Sequence, residues 1–423
     1  MGRTSIYMVM AMTAIFLFFG KTMNDSGTEA FANAMLYYER TQVYNIANVG
    51  ANLACNQLFL NTLWRTGFSG APGARGVPWN GGYFKVTFDS TTYPTKLMVI
   101  SKGYLNKDSH AVKIILQQSS LAKFAMYSGN VSSAAKLRSG DTINGPIHFN
   151  QKLMTSDNPV FIGKATMGSL QTTGSGSPTF LGGYQTGVSI PFPPYAASAG
   201  AIVSSAIAVG GTNDYKLGGQ MWLKFSVVGG VTFVEYKTSS GAAWGAPVTL
   251  AAFAPTGNIA MVNGEIHVQG TFSGQVSITS TVNPSTTPTS TSVGATYIEG
   301  DLRYNTDPLL FPTSTTDKLG LVSAGDITIN ALPMRMDGAY FTNTSTKLNS
   351  ASPYNLDNTN PAKQLKIVGS LITKNVGSTD FGTGSAKGAN FYMKYDTRFE
   401  TSPPANFPYP MGGNNFEVLS WFE

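Results

Sequence analysis

Apolar residues run without a charge from Ile6 to Phe19, interrupted only by Thr13. From Phe31 onward the pattern changes to a stripe: Phe31, Met35, Tyr38, Ile46, Val49, Leu53 and Leu60, with Gln42 in one slot. That 3.6-residue spacing predicts an amphipathic helix, and Gly67, just after Trp64-Arg65-Thr66, reads as its C-cap. The helical signal covers about residues 5–65, roughly 90 Å if continuous. Gly20 to Gly27 is poor in helix formers, so a kink is expected there. A single copy of a small domain cannot cover a helix of that length; identical helices from other copies can.

Beyond the helix the period shortens. Tyr83–Phe88, Leu97–Ser101 and Ala111–Gln117 read as strands separated by turn residues, enough for a small antiparallel sheet against which Phe31, Met35, Tyr38, Ile46, Val49 and Leu53 would pack. After residue 120, short strands recur between glycine-rich turns. Asn144-Gly145-Pro146-Ile147-His148 is echoed by Asn263-Gly264-Glu265-Ile266-His267, with related units at 296–302, 320–329 and 365–372. Such recurrence predicts stacked rungs of a β-solenoid, with a β-sandwich as the alternative. Residues 184–255 read as an insertion, and 279–292, almost entirely Thr, Ser and Pro, as an exposed loop that glycosylation at Thr286, Thr287, Thr289 or Ser290 would suit. The expected fold is α+β and mostly β: helix 1–66, small sheet 67–120, solenoid-like or sandwich body 121–423.

Composition narrows the class. Only 12% of the 423 residues are charged, about half the usual share, which suits an extracellular protein. The net charge of +6 is scattered, with no basic run among aromatics, so nucleic acid is not an expected partner. The one cysteine, Cys55, permits no intrachain disulfide and is expected to be a buried thiol. The N-terminal run has three readings: a cleaved signal, a plain membrane anchor, or a helix that sits in a membrane and then in a polymer core. The first is disfavoured, because the nearest small-x-small site, Ala32-Asn33-Ala34, lies far beyond the run.

A short charged start, an apolar run, a helix-weak junction and an amphipathic half leading into strands resemble a mature type IV pilin. The resemblance implies that Ile6, Tyr7, Val9, Met10, Ile15, Phe16, Leu17, Phe18 and Phe19 form the filament core, and that the chain is already processed at Met1. The family usually carries a glutamate at its fifth position; Ser5 stands here, so Asp25 or Glu29 of a neighbouring copy is the expected partner of the N-terminal region around Arg3. The body is similar to a little-characterised family of bacterial pilin-like proteins through Ser139-Gly140-Asp141 with Gly145-Pro146-Ile147-His148, Pro159-Val160-Phe161-Ile162-Gly163, Asp317-Lys318-Leu319-Gly320-Leu321-Val322, and Tyr395-Asp396 through Pro403-Pro404. That resemblance implies a bacterial surface filament, anchored in the inner membrane before assembly, with the pilus assembly machinery and copies of itself as partners.

Catalytic and metal signatures are absent. His110, His148 and His267 lack a second ligand at metal spacing, and no nucleophile elbow, phosphate loop or dinucleotide fingerprint occurs. His148 and His267 hold equivalent repeat positions, which leaves a shared site conceivable. Asp301, Asp307, Asp317, Asp326 and Asp337 cluster along the later strands, where a solenoid enzyme would need two carboxyls in a cleft; each sits at an ordinary turn position. The expectation is a structural filament subunit, not an enzyme, without a cofactor. A minor pilin or tip adhesin binding surface glycans, and a membrane-anchored polysaccharide-active enzyme, are the alternatives.

Overall fold

The computed structural model describes residues 2–61, 64–70, 75–89, 96–118, 120–131, 136–192, 196–208, 214–282, 293–331, 334–348, 364–376, 390–409 and 416–422. Thr286, Thr287, Thr289 and Ser290 lie outside them. The chain divides into two compact units, residues 1–118 with 413–423, and residues 119–412.

In the first unit, α1 runs unbroken from Gly2 to Leu60, 59 residues and about 88 Å. The expected kink is absent. Thr22 and Thr28 donate their hydroxyls back to the carbonyls of Phe18 and Asn24 within an intact helix, and a glycine costs only about 1 kcal/mol in a helix interior. That is too little to interrupt a long cooperative helix. α1 also stops before Gly67, which is not its cap. Gly67 takes φ 68° as Phe68 bridges to Val86, where a Cβ would meet the Val86 carbonyl oxygen at 2.2 Å.

α1 packs on a five-stranded antiparallel sheet. It comprises β1 (Val77–Trp79), β2 (Gly82–Asp89), β3 (Lys96–Leu105), β4 (Asp108–Gln118) and the C-terminal strand Phe416–Phe422. Leu97, Val99 and Ser101 are buried at the period of two that a half-covered strand requires. The C-terminal strand was not anticipated in this sheet. Gln118 stands opposite Phe416, so residues 119–412 are inserted between two neighbouring antiparallel strands.

The second unit is mainly a coil of parallel strands, with antiparallel pairing confined to residues 222–249. It contains β5 (Met126–Val131), β6 (Thr142–Asn144), β7 (Ile147–Ser156), β8 (Val160–Phe161), β9 (Ala165–Thr173), β10 (Thr179–Phe180), β11 (Tyr184–Gln185), α2 (Ala196–Ala208), β12 (Tyr215–Val228), β13 (Val231–Lys237) and β14 (Val248–Thr249). After the one-turn α3 (Leu250–Phe253) come β15 (Asn258–Phe272), β16 (Gln275–Thr281), β17 (Thr296–Tyr304), β18 (Lys318–Ser323), β19 (Ile327–Ile329), β20 (Met334–Leu348), β21 (Gln364–Val376) and β22 (Asn390–Lys394). Three ladders of apolar side chains meet in one core. One runs Met336, Ile367, Met393, Ile143, Phe161, Phe180. A second runs Ile278, Leu321, Tyr340, Leu371, Met126, Ile147, Ala165. The third runs Leu223, Val268, Ile298, Ile329, Leu348. A sandwich would have packed antiparallel sheets face to face; these ladders are parallel. Residues 184–255, expected to be an insertion, supply β12, which pairs in parallel with β15 over most of its length.

Glycine makes the corners. Gly145, Gly338 and Gly369 hold φ between 137° and 142°, and a Cβ on Gly369 would meet the Gly338 carbonyl oxygen at 2.0 Å. Hydroxyls finish another corner: Ser280, Ser323, Thr342, Thr373 and Ser128 follow one another up the second ladder. All five are fully buried. Ser280, Ser323 and Thr342 donate to the carbonyls of Gly264, Gly294 and Gly325 where the backbone turns away from its ladder.

The order of turns does not follow the order of the chain. β5 to β11 build outward to one end, and β12 to β22 then approach from the other, so that β21 pairs with both β22 and β5. Segments from the two ends of this unit complete one turn together. Phe391 N–H donates to Asp141 Oδ1 and the Ser370 hydroxyl to the Phe124 carbonyl across that seam.

Candidate functional site

The feature that sets this molecule apart from an ordinary globular chain is the surface of α1. Between Ile6 and Phe19 every large apolar side chain retains 53–71% of its surface, and Met23, Phe31, Met35, Leu36, Tyr37 and Tyr38 continue the exposure. The helix is long and apolar enough to cross a membrane, and the apolar stretch buries nothing within the chain. Burial elsewhere would stabilise each large side chain by about 1.5–3 kcal/mol.

Burial of α1 begins at Val43 and covers Val43, Ile46, Ala47, Gly50, Ala51, Ala54 and Leu58. Small residues bring the backbones close. A Cβ on Gly103 would lie 2.5 Å from the Val43 carbonyl oxygen, and one on Gly50 2.5 Å from Ser101 Oγ; Ser101 donates its hydroxyl to the Ala47 carbonyl at 2.7 Å. At the margin, Asn80 donates to Gln42 and Asn106 to the Glu39 carboxylate, each at 2.8 Å. Of the residues expected to pack helix on body, Ile46 does so fully and Val49 partly. Phe31, Met35, Tyr38 and Leu53 are exposed. The stripe they form lies about a third of the way around the helix from the buried face, reckoned at 3.6 residues per turn.

Arg3, Asp25 and Glu29 are exposed on α1. Ser5 donates its hydroxyl to the Gly2 carbonyl at 3.2 Å. Cys55 is half-buried, and burial raises its thiol pKa.

No protein family's sequence profile and no curated protein matches this chain. Among solved structures it is similar to the competence-associated pilin ComZ from Thermus thermophilus, at 13% identity over 90% of this chain and 96% of that one, with a TM-score of 0.35. The likeness is too loose to place any residue.

The second unit gathers chemistry-bearing side chains that the linear pattern did not connect. Parallel pairing of β12, β15 and β17 stacks Trp222 on His267 (3.5 Å between centroids, planes 4° apart) and His267 on Tyr297 (4.6 Å, 9°). Lys237 lies over both Trp222 and Trp244. The His267 ring meets Glu299 at 2.5 Å through Nδ1 and Glu265 at 3.4 Å through Nε2, Gln220 also donates to Glu265, and Asn330 donates to Glu299. Only the register reveals this pile; the three rings are far apart in sequence.

His148 belongs to a different ladder, so the two histidines of the repeat share no site. It stands between Tyr127 and Thr166, fully buried, and burial pushes its pKa down to about 4. The repeated Asn-Gly-x-Ile-His marks a corner followed by a strand. The aspartates of the later strands are likewise dispersed among structural partners. Asp307 and Asp337 clasp Arg335 at 2.6 and 2.7 Å, Asp326 holds Lys347, Asp301 holds Arg303, and Asp317 accepts from Ser273 and the Gly274 N–H. Among the described residues no three His, Cys, Asp or Glu side chains converge as a metal site.

Proposed function

We propose that this protein is a structural subunit of an extracellular, type IV pilus-like filament, held in the inner membrane by the apolar half of α1 before assembly and polymerising through it afterwards. In the assembled state the apolar halves form the core, and the sheet and coil are carried outside. One observation supports the reading above the rest: an unbroken helix whose residues 2–38 are all exposed, continued by a last third that is fastened to a sheet. Water makes that surface unfavourable by several side chains' worth of transfer free energy. A membrane relieves the cost for a single copy, and neighbouring copies relieve it outside a membrane.

The test is to replace Phe16 or Leu17 with Asp. A charge at that depth should reduce filament yield in sheared surface material at least tenfold, while the sheet and coil keep the circular dichroism of the parent. Wild-type filament yield from both variants would refute polymerisation through α1.

A further inference from the structure

We infer that the last rung of the coil, residues 169–185, is an interface at which two copies of this chain meet end to end across a two-fold axis. Ser169–Thr173 of one copy pairs antiparallel with Ser169–Thr173 of the other. The contact lies within the coil and goes beyond the filament reading.

The two ends of the coil are finished differently. At one end β13 pairs with β12 and β14 with β13, and Ala199 and Ile202 of α2 join the core. Leu223, the first residue of the third ladder, is fully buried there. At the other end the ladders stop without a cover. Phe180 follows Phe161, Tyr184 follows Ala165 and Leu170 follows Leu153. Phe161, Ala165 and Leu153 are buried, whereas Tyr184 keeps 56% of its surface and nearby Leu181 68%. Among the described residues no strand is laddered to the outer side of Ser169–Thr173, β10 or β11. An uncapped solenoid end leaves both apolar surface and backbone groups to be satisfied.

Edge chemistry selects the partner. The outer strands of the first sheet and the hairpin at the far end of the coil each carry a feature that opposes strand addition. β1 contains Pro78, which has no N–H to donate, and the C-terminal strand has Glu417 and a bulge between Val418 and Ser420. β13 carries Glu235 and Lys237. Ser169–Thr173 has no proline, bulge or charge, and from residue 165 to residue 213 the sequence has no Asp, Glu, Lys, Arg or His. Lys152, Asp157 and Lys164 belong to the preceding rung. An uncharged free edge accepts an extended strand equally free of charge. Of these edges, only its own counterpart qualifies.

Symmetry then fixes the pairing. A two-fold axis across the end of a three-sided rung sets one side antiparallel to its own counterpart and exchanges the other two. Ser169–Thr173 is the longest side, so self-pairing there makes the most hydrogen bonds. Gln171, at its centre, faces Gln171, and Phe180 of each copy meets the Tyr184 side of the other. Copies within one polar filament are related by a screw operation, so this contact falls between filaments and would bundle them.

The full-length chain in detergent tests the interface. Its dimerisation, followed by sedimentation, should weaken by at least about tenfold in Gln171→Lys and in Gln171→Glu, since each sets like charges face to face across the axis. An equimolar mixture of the two variants should regain dimers. In a Cys55→Ala background, Gln171→Cys should give one disulfide-linked dimer on mild oxidation and nothing larger, and Ser239→Cys, beside β13, should give none. A monomeric parent, which would leave the edge to another protein's strand or to a glycan, would overturn the proposal. So would charge variants that associate as the parent does. In filament preparations Gln171→Lys should abolish bundling at unchanged yield; bundles that persist count against the interface alone, and a parent that forms no filaments counts against the filament reading alone.

Discussion

At the scale of single residues, two buried titratable groups pull the second unit's stability in opposite directions with pH. Burial pushes the Asp141 carboxyl up to about 6, against the backbone N–H bonds from Arg138 and Phe391 that favour its charged form. Its native pKa exceeds the usual carboxylate value, so its contribution is fully present below about pH 4 and is lost as pH rises through 6. His148 is the reverse: burial depresses it to about 4, so its contribution holds above about pH 6.5 and is lost as pH falls towards 4. Each shift corresponds to about 3 kcal/mol. Relative to the parent, Asp141→Asn should therefore lose melting temperature and His148→Gln gain it as pH falls from 6.5 to 4; Asp337, whose carboxyl burial also raises to about 6, contributes equally to all three proteins. Parallel pH dependences in all three thermal melts would contradict this assignment. Neither burial was legible in the sequence. His148 and His267 occupy matching repeat positions, yet one is enclosed and the other is sandwiched between Trp222 and Tyr297, because the strands that follow the two corners belong to different ladders. The serines and threonines were misleading in the same way. Ser280, expected in the exposed Thr/Ser/Pro loop 279–292, is interior, and Ser280, Ser323 and Thr342 satisfy corner carbonyls.

At the scale of elements, α1 shows what a hydrophobic pattern can and cannot tell. The helix, its length and the three strands after it were legible from period and turn residues. Which face meets the sheet was not, because the pattern weights large side chains and the contact uses small ones. Phe31, Met35, Tyr38 and Leu53 carry the stripe, but Ala47, Gly50, Ala51 and Ala54 allow the backbones of α1 and β3 to approach where Gly103 leaves room. The two faces should therefore respond differently to substitution. Ala47→Leu places a bulky side chain against the backbone of β3 and should destabilise the first unit by about 1–3 kcal/mol. Tyr38→Ala should change it by less than about 0.5 kcal/mol. Urea denaturation of the two variants in detergent decides this; equal losses would mean that the stripe, not the small-residue face, carries the packing. The missing kink belongs to the same scale: local glycine content set the expectation, and the cooperativity of a long helix outweighed it.

At the scale of the whole molecule, the sequence of one unit is inserted into that of the other. The chain leaves the sheet after Gln118 and rejoins it at Phe416, and the two stand opposite each other as a hairpin tip would place them. Replacing residues 119–415 with an Asn-Gly turn should thus leave a small protein of helix and sheet that folds by itself; a spectrum without dispersed amide signals in detergent would show that the sheet needs its guest. Linear reading could not see this, since the pairing of residue 118 with residue 416 has no local signature. The seam inside the coil bears on biosynthesis. A ribosome releases β5 long before β22, so the turn they share stays unfinished until nearly all of the chain has been made. The early strands wait with an open edge, and an open edge is a template for mispairing. A chain that stops short of residue 390 therefore lacks the strand that closes the turn at the middle of its coil, not at one end, and that gap stays unshielded until the last strands arrive.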